Sequence, residues 1–266
     1  MTASKRRRVS AAAALSVAIA RSRARPITSS QELKAFADAC GATYAREWSE
    51  VRCSAALCIR QRHLRAEPAV GAQAVTHVVA GLDDSGRAKR TMKYMCALLT
   101  GQWVVSPGWT RACLASRSAV PEAAHEARGD DRGGSRAAAA AHRQRLRGGA
   151  GAGVFAGLKV HLTGDFVSPS RSDLEQLVTL GGGRMLRHAP SPPSPGKALD
   201  PGLRVICEGP PAGGAPSAAA ARSGRASAVA AAKTATGAPA LAHYWLLDSV
   251  THAELQPITD KYILTA

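Results

Sequence analysis

Apolar and polar positions alternate in two rhythms along this chain, short β-type runs and helical stripes, and the two occur in the same order in each half. In the first half, residues 15–20 read as a strand. Ser29 and Glu32 then stand at capping-box spacing. Leu33, Phe36, Ala37 and Cys40 follow at i, i+3, i+4 and i+7, and Gly41 sits where a left-handed cap would end the helix. Residues 42–48 and 75–79 read as further strands. Met92, Met95, Cys96 and Leu99 form the core face of a middle helix, which Gly101 closes. A short β run, Trp103-Val104-Val105, leads into a last helix opened by Ser106-Pro107 and anchored by Trp109.

The second half repeats the order. Residues 158–163 read as a strand, Ser172 and Glu175 as a cap pair, and Leu174, Leu177 and Val178 as one helical face stopped by Gly181-Gly182-Gly183. Residues 203–207 read as a buried strand. The middle helix falls on the Ala-rich stretch 218–236, closed by Gly237; its propensity is high and its packing face almost featureless. Trp245 and Ser249 repeat the Trp-x-x-x-small spacing of Trp109 and Cys113. Both tryptophans read as structural core, packing one helix face on a sheet.

Short strands alternating with helices imply parallel sheets with helices on both faces, because parallel neighbours need crossover connections. The expected organisation is a basic tail at 1–13, one unit at 14–126 with an insertion at 49–74, and a second at 154–266 with loop insertions at 190–202 and 209–217. The Arg-, Gly- and Ala-rich residues between them, 127–153, lack large apolar side chains and read as a solvated linker.

Charge narrows the partners. With 35 Lys and Arg against 19 Asp and Glu, the net charge of +16 favours a polyanion, either a phosphorylated protein or nucleic acid. Much of the excess lies in low-complexity stretches, so a basic nucleic-acid-binding protein, touching DNA through the linker and tail, is the alternative function. Lys5-Arg6-Arg7-Arg8 reads as a nuclear-import cluster ahead of the first strand, in competition with a targeting peptide. The expected location is nuclear. The six cysteines, at 40, 53, 58, 96, 113 and 207, include no Cys-x-x-Cys pair and read as small buried hydrophobes. Cys53, Cys58, His63 and His77 match no zinc-finger or ribbon spacing. Neither a metal nor another cofactor is expected, and no apolar run reaches membrane-spanning length.

The most chemically pointed segment is Arg90-Thr91-Met92-Lys93-Tyr94-Met95. It places a lysine in the first turn of an apolar-faced helix, where unpaired N–H groups and positive potential already favour an anion. Other chemistries fail on context. Gly151-Ala152-Gly153-Val154-Phe155-Ala156 fits a dinucleotide fingerprint on paper but precedes a strand instead of following one. No Walker lysine, catalytic triad setting or paired carboxylates stand in a structured context, and His77 reads as a core or turn residue. The chain is not expected to be an enzyme.

Taken together, Gly41-Ala42, Thr76-His77-Val78-Val79, Arg90-Thr91-Met92-Lys93-Tyr94, Gly101-Gln102-Trp103-Val104-Val105-Ser106-x-x-Trp109 and Trp245-Leu246-Leu247-Asp248-Ser249-Val250 resemble a tandem BRCT repeat. The resemblance implies an α/β fold of two BRCT-type units, each a short parallel four-stranded sheet flanked by helices, packed in tandem. It also implies a phosphoserine-peptide reader of the DNA damage response. The family's phosphate-holding positions fall on Ser22, Arg23 and Lys93, with Arg23 standing where the family usually has glycine. Its groove for the third residue after the phosphoserine, usually an aromatic, falls on Arg90, which would contact that residue's main chain, and on Met95, Pro169 and Leu247. Relatives in this family are ubiquitin ligases through a RING domain absent from these residues. A RING-containing partner is therefore implied, or else the chain is a fragment of a larger ligase.

Overall fold

The computed structural model describes residues 15–20, 35–36, 42–45, 76–147, 153–194, 196–209 and 219–265. Two four-stranded parallel sheets organise the chain. The first contains β1 (Leu15–Ala20), β2 (Ala42–Ala45), β3 (His77–Ala80) and β4 (Trp103–Val105), in the order β2-β1-β3-β4. The second contains β5 (Lys159–Leu162), β6 (Arg184–Leu186), β7 (Leu203–Cys207) and β8 (Ala240–Ala242), in the order β6-β5-β7-β8. The two orders are identical, so the duplication seen in the apolar pattern is a duplication of topology. Registers correspond as well: Val17 and Ala20 of β1 face His77 and Ala80 of β3, as Lys159 and Leu162 of β5 face Leu203 and Ile206 of β7.

Six helices longer than one turn are described: α1 (Met92–Thr100), α2 (Pro107–Ser116), α3 (Arg136–Arg147), α4 (Arg171–Leu180), α5 (Ala219–Thr236) and α6 (Tyr244–His252). Helix α1 departs from its expected single apolar face. Tyr94, Met95, Cys96, Ala97, Leu98 and Leu99 are all buried. A helix buried all round has neighbours all round, and α1 packs on β3 and β4 on one side and on α3, α4 and α6 on the other. Its residues share one core with Phe155, Leu158, Val160, Leu174, Leu177, Trp245 and Leu246 of the second unit. Gly101 ends the helix at φ 74, and a Cβ there would lie 2.6 Å from Leu146 Cδ1. Both the left-handed conformation and the close approach of α3 demand glycine.

Units one and two are therefore joined head to tail, the middle helix of one against the first and last helices of the other. The outer faces carry separate cores. Phe36, Val79, Val105, Trp109 and Cys113 cluster on the first unit. On the second, Val205, Cys207, Ala240 and Ala238 meet Val229 and Ala232 of α5. The Ala-rich α5 needs only to cover one sheet face, which small side chains at a few positions accomplish. The two tryptophans are fully buried and are fixed alike: Trp109 Nε1 donates to Val120 O at 2.9 Å and Trp245 Nε1 to Gln256 O at 2.8 Å.

Two expectations are corrected. Residues 127–153 are not a solvated linker: Asp130 is fully buried, and α3 buries Ala138, Ala139, His142 and Arg143. His142 Nε2 lies 2.8 Å from Val250 O of α6, and the Arg143 guanidinium stacks 3.8 Å from the Trp103 ring centroid. Alanines and arginine stems do the packing, and neither registers as a stripe of large apolar residues. The cap of α4 is Ser170, not Ser172. Ser170 Oγ accepts from Asp173 N at 3.2 Å, and Asp173 Oδ2 accepts from Ser170 N at 3.1 Å. Two Ser-x-x-acid registers overlap here, offset by two residues, and the one directly after Pro169 is used. The cap expected at Ser29 and Glu32, the stop at Gly41, the insertion at 49–74 and most of 209–217 lie outside the described residues.

Replacing Trp109 or Trp245 with alanine removes the largest side chain of a closed core, with an expected cost of about 3–5 kcal/mol. Urea denaturation of each variant measures this. A cost under about 1 kcal/mol would show that neither ring anchors its unit.

Candidate site at the start of helix α1

Parallel topology gathers the site. Ala20 at the end of β1 pairs with Ala80 at the end of β3, and beyond β3 the chain turns back into α1. The C-terminal edge of the sheet and the N-terminus of α1 thus share one end of the unit, the usual place for a ligand in such sheets. Thr91 caps the helix with extended dihedrals, φ −111 and ψ 164, and its hydroxyl accepts from Tyr94 N at 3.3 Å. Lys93 is the second helical residue and is half-buried. The first turn carries no acidic side chain, so its positive potential is uncompensated within the helix. Ser22 and Arg23 lie outside the described residues.

One residue before the cap, Arg90 ties the helix start to both neighbouring segments. Its side chain is only 9% exposed. Nη1 donates to Asp248 Oδ1 of α6 at 2.7 Å, and Nη2 to Thr251 Oγ1 at 3.0 Å. Nε and Nη2 each reach Asp130 at 3.4 Å, and Nη2 also reaches the Arg132 carbonyl at 3.4 Å. Its backbone N–H donates to Asp131 Oδ1 at 2.9 Å. One guanidinium therefore joins the first unit, the connecting segment and the last helix of the second unit.

Asp130 is held in turn. Its Oδ1 accepts from Arg132 N at 2.7 Å and Gly134 N at 3.1 Å, and a Cβ on Gly134 would fall 2.3 Å from its Oδ2. Arg87 Nη1 donates to the carbonyls of Asp130 and Gly134 at 2.9 and 3.2 Å. Asp248 receives more: Lys261 Nζ and the Tyr262 hydroxyl both donate to its Oδ2 at 2.8 Å. Burial pushes the Asp248 carboxyl up, but the hydrogen bonds from Lys261, Arg90 and Tyr262 together prevail and hold it below the usual carboxylate range.

Of the remaining groove positions, Met95 is 3% exposed within the shared core, while Leu247 is half-buried against that core and Pro169 is half-buried just ahead of α4. His77 lies outside this constellation. It stacks on Trp109 with centroids 4.4 Å apart and planes at 10°, and sits 3.0 Å from Glu122 Oε1. Burial lowers its pKa against the opposing pull of Glu122, which makes it a core histidine. Gly153, the third glycine of the paper fingerprint, serves packing: a Cβ there would lie 2.1 Å from Gly181 O. Among the described residues, no cluster of His, Cys, Asp or Glu could hold a metal, and no helix is long and apolar enough to cross a membrane. Sequence reasoning missed Asp130, Asp248, Lys261 and Tyr262. An acid inside the apolar Trp245-Leu246-Leu247-Asp248 run was the available signal, since a buried carboxylate requires a partner.

No protein-family model matches the chain. The Arabidopsis thaliana protein BREAST CANCER SUSCEPTIBILITY 1 homolog is 32% identical over 109 residues, which cover 41% of this chain and 11% of that protein. BRCA1-associated RING domain protein 1 of the same plant is 32% identical over 118 residues, 42% of this chain and 15% of the relative. The chain thus spans a small part of the length of the curated relatives it matches. Among solved structures, the BRCT5-BRCT6 domains of S. pombe Brc1 superpose with a TM-score of 0.50 at 18% identity, covering 93% of this chain and 98% of theirs. A complex of Rtt107p with a phosphorylated histone gives a TM-score of 0.50 at 10% identity, covering 94% and 92%. The fold is that of tandem BRCT domains.

Replacing Arg90 with methionine leaves two buried carboxylates without their cation, with an expected loss of about 3–5 kcal/mol in chemical denaturation. The acid limb is a second check. With the folded pKa of Asp248 depressed, its contribution is present above the unfolded value near ~4 and is lost as pH falls through the folded value. Asp248→Asn should flatten the fall in stability between about pH 4 and 2. An acid limb of unchanged slope would mean that Asp248 is not held ionised.

Proposed function

We propose that this chain is a phosphoserine-peptide-binding module, a protein-interaction component of the DNA damage response. The observation that carries the reading is Lys93, set in an acid-free first turn of α1 and locked to the second unit through Arg90 and Asp248. A phosphate placed at this helix start would meet backbone N–H groups and an ammonium together, the combination that favours a dianion. Ser22 and Arg23, two and three residues beyond the end of β1, are the proposed further phosphate contacts. Arg90 would offer its main chain to the peptide, because its guanidinium is already committed. Leu247 and Pro169 would form the walls of the pocket for the third residue after the phosphoserine, with Met95 beneath them. Rtt107p, whose likeness to this chain is in fold, binds a phosphorylated histone in its own complex, which supports the same partner class here.

The DNA-repair setting of the relatives and neighbours supports a nuclear location. The likeness to a RING domain protein supports a RING-containing partner or a longer chain, with any ligase activity residing in that other part and these residues acting as a non-catalytic reader. DNA binding through the Arg-rich segment is the weaker reading, because Arg136 and Arg143 of α3 already pair with Glu126 at 3.1 and 2.6 Å.

Lys93→Met tests the proposal. By fluorescence anisotropy, the unaltered protein should prefer a phosphoserine-x-x-phenylalanine peptide over its unphosphorylated twin, and the variant should lose about ten- to a hundred-fold of that preference. Its melting temperature should hardly move. Equal affinity with and without phosphate, or an unchanged preference in the variant, would refute the reading.

A further inference from the structure

Among the described residues, Lys261 is the cation of the inter-unit network that stays open to solvent. Its side chain is 64% exposed, against 9% for Arg90. Two contacts fix its ammonium, Asp248 Oδ2 at 2.8 Å and the Tyr262 hydroxyl at 3.1 Å. An ammonium has three donors, so one N–H remains for a ligand. The mount beneath it is rigid. Tyr262 is 3% exposed, and its backbone N–H and carbonyl are engaged by Thr259 and Ala242. The tail then pairs back along β8 through Leu264 N to Ala240 O at 2.9 Å.

Position gives this donor a purpose. The two oxygens of Asp248 are divided, Oδ1 to Arg90 and Oδ2 to Lys261, so the lysine stands one carboxylate beyond the residue that precedes the cap of α1. Asp248 also directly follows Leu247, the proposed wall of the pocket. Arg90 cannot itself take up an anion: all three of its side-chain nitrogens already donate, to Asp130, Asp248, Thr251 and the Arg132 carbonyl. An anionic group on a peptide leaving the pocket would therefore meet Lys261.

We infer that Lys261 is a specificity residue that reads a carboxylate on the bound phosphopeptide, downstream of the third residue after the phosphoserine. This rests on the phosphopeptide reading above. Recognition is electrostatic and partly exposed, so it tunes the choice among phosphopeptides without creating binding alone. The carboxylate can come from an acidic side chain or from the end of a chain, and the two present the same chemistry to an ammonium.

The test uses the full chain and four phosphoserine-x-x-phenylalanine peptides. Two continue with glutamate or glutamine and end in an amide; two stop after the phenylalanine, as free acid or amide. The unaltered protein should bind at least one carboxylate peptide about three- to five-fold more tightly than its neutral twin. The pair showing the preference identifies the source. Lys261→Met should abolish the preference and Lys261→Arg should retain it. A purely structural role, loosening Asp248, would weaken all four peptides alike and leave the ratio intact, which would overturn the inference. So would the absence of any preference in the unaltered protein while phosphate dependence persists. Loss of phosphate dependence itself would remove the phosphopeptide reading, and this inference with it.

Discussion

One guanidinium, that of Arg90, lies between two carboxylates from distant parts of the chain, Asp130 and Asp248, and the arrangement of the two units turns on it. Buried ion pairs contribute little net stability, because desolvation offsets the attraction. Their consequence is geometric. An apolar interface between α1, α4 and α6 tolerates sliding, whereas a fork of donors aimed at Asp248 and Thr251 defines one register. The same contacts fix the start of α1, and thereby the orientation of Lys93 relative to Leu247.

The duplication explains both the symmetry and its failure. Each unit has the same strand order and the same indole-to-carbonyl bond, yet their middle helices live in different surroundings. Helix α1 is enclosed on both sides and is built from Tyr, Met, Cys and Leu; α5 covers an outer face and is built from alanine. A helix inside a junction must fill a space shaped by three neighbours, while one on an outer sheet face need only exclude water. The connecting segment completes the junction: α3 packs against α1 and α6, and the Asp130 turn feeds the ion pair.

Much of this was legible in the apolar pattern. The succession of strands and helices, the middle helix α1, the Gly101 stop and the family resemblance all followed from local periodicity and turn chemistry. What was not legible depends on contacts between distant residues. Asp130 and Asp248 partner one arginine across 40 and 158 positions, and nothing in either neighbourhood announces it. Helix α3 was hidden for a different reason, since its contacts use alanine, a histidine bonded to a carbonyl and an arginine lying on Trp103. The α4 cap failed on two overlapping signals, Ser170 with Asp173 and Ser172 with Glu175, between which spacing alone cannot choose.

The central claim is that the start of α1 and the facing part of α6 form one anion-dependent peptide site. NMR titration of the isotope-labelled chain with a phosphoserine-x-x-phenylalanine peptide examines it most directly. The account predicts that the amides of Thr91 to Tyr94 and of Leu247 and Asp248 shift together, along one saturation curve, and stay still with the unphosphorylated peptide. Shifts confined to α3 or to either unit alone, or equal shifts with both peptides, would contradict it.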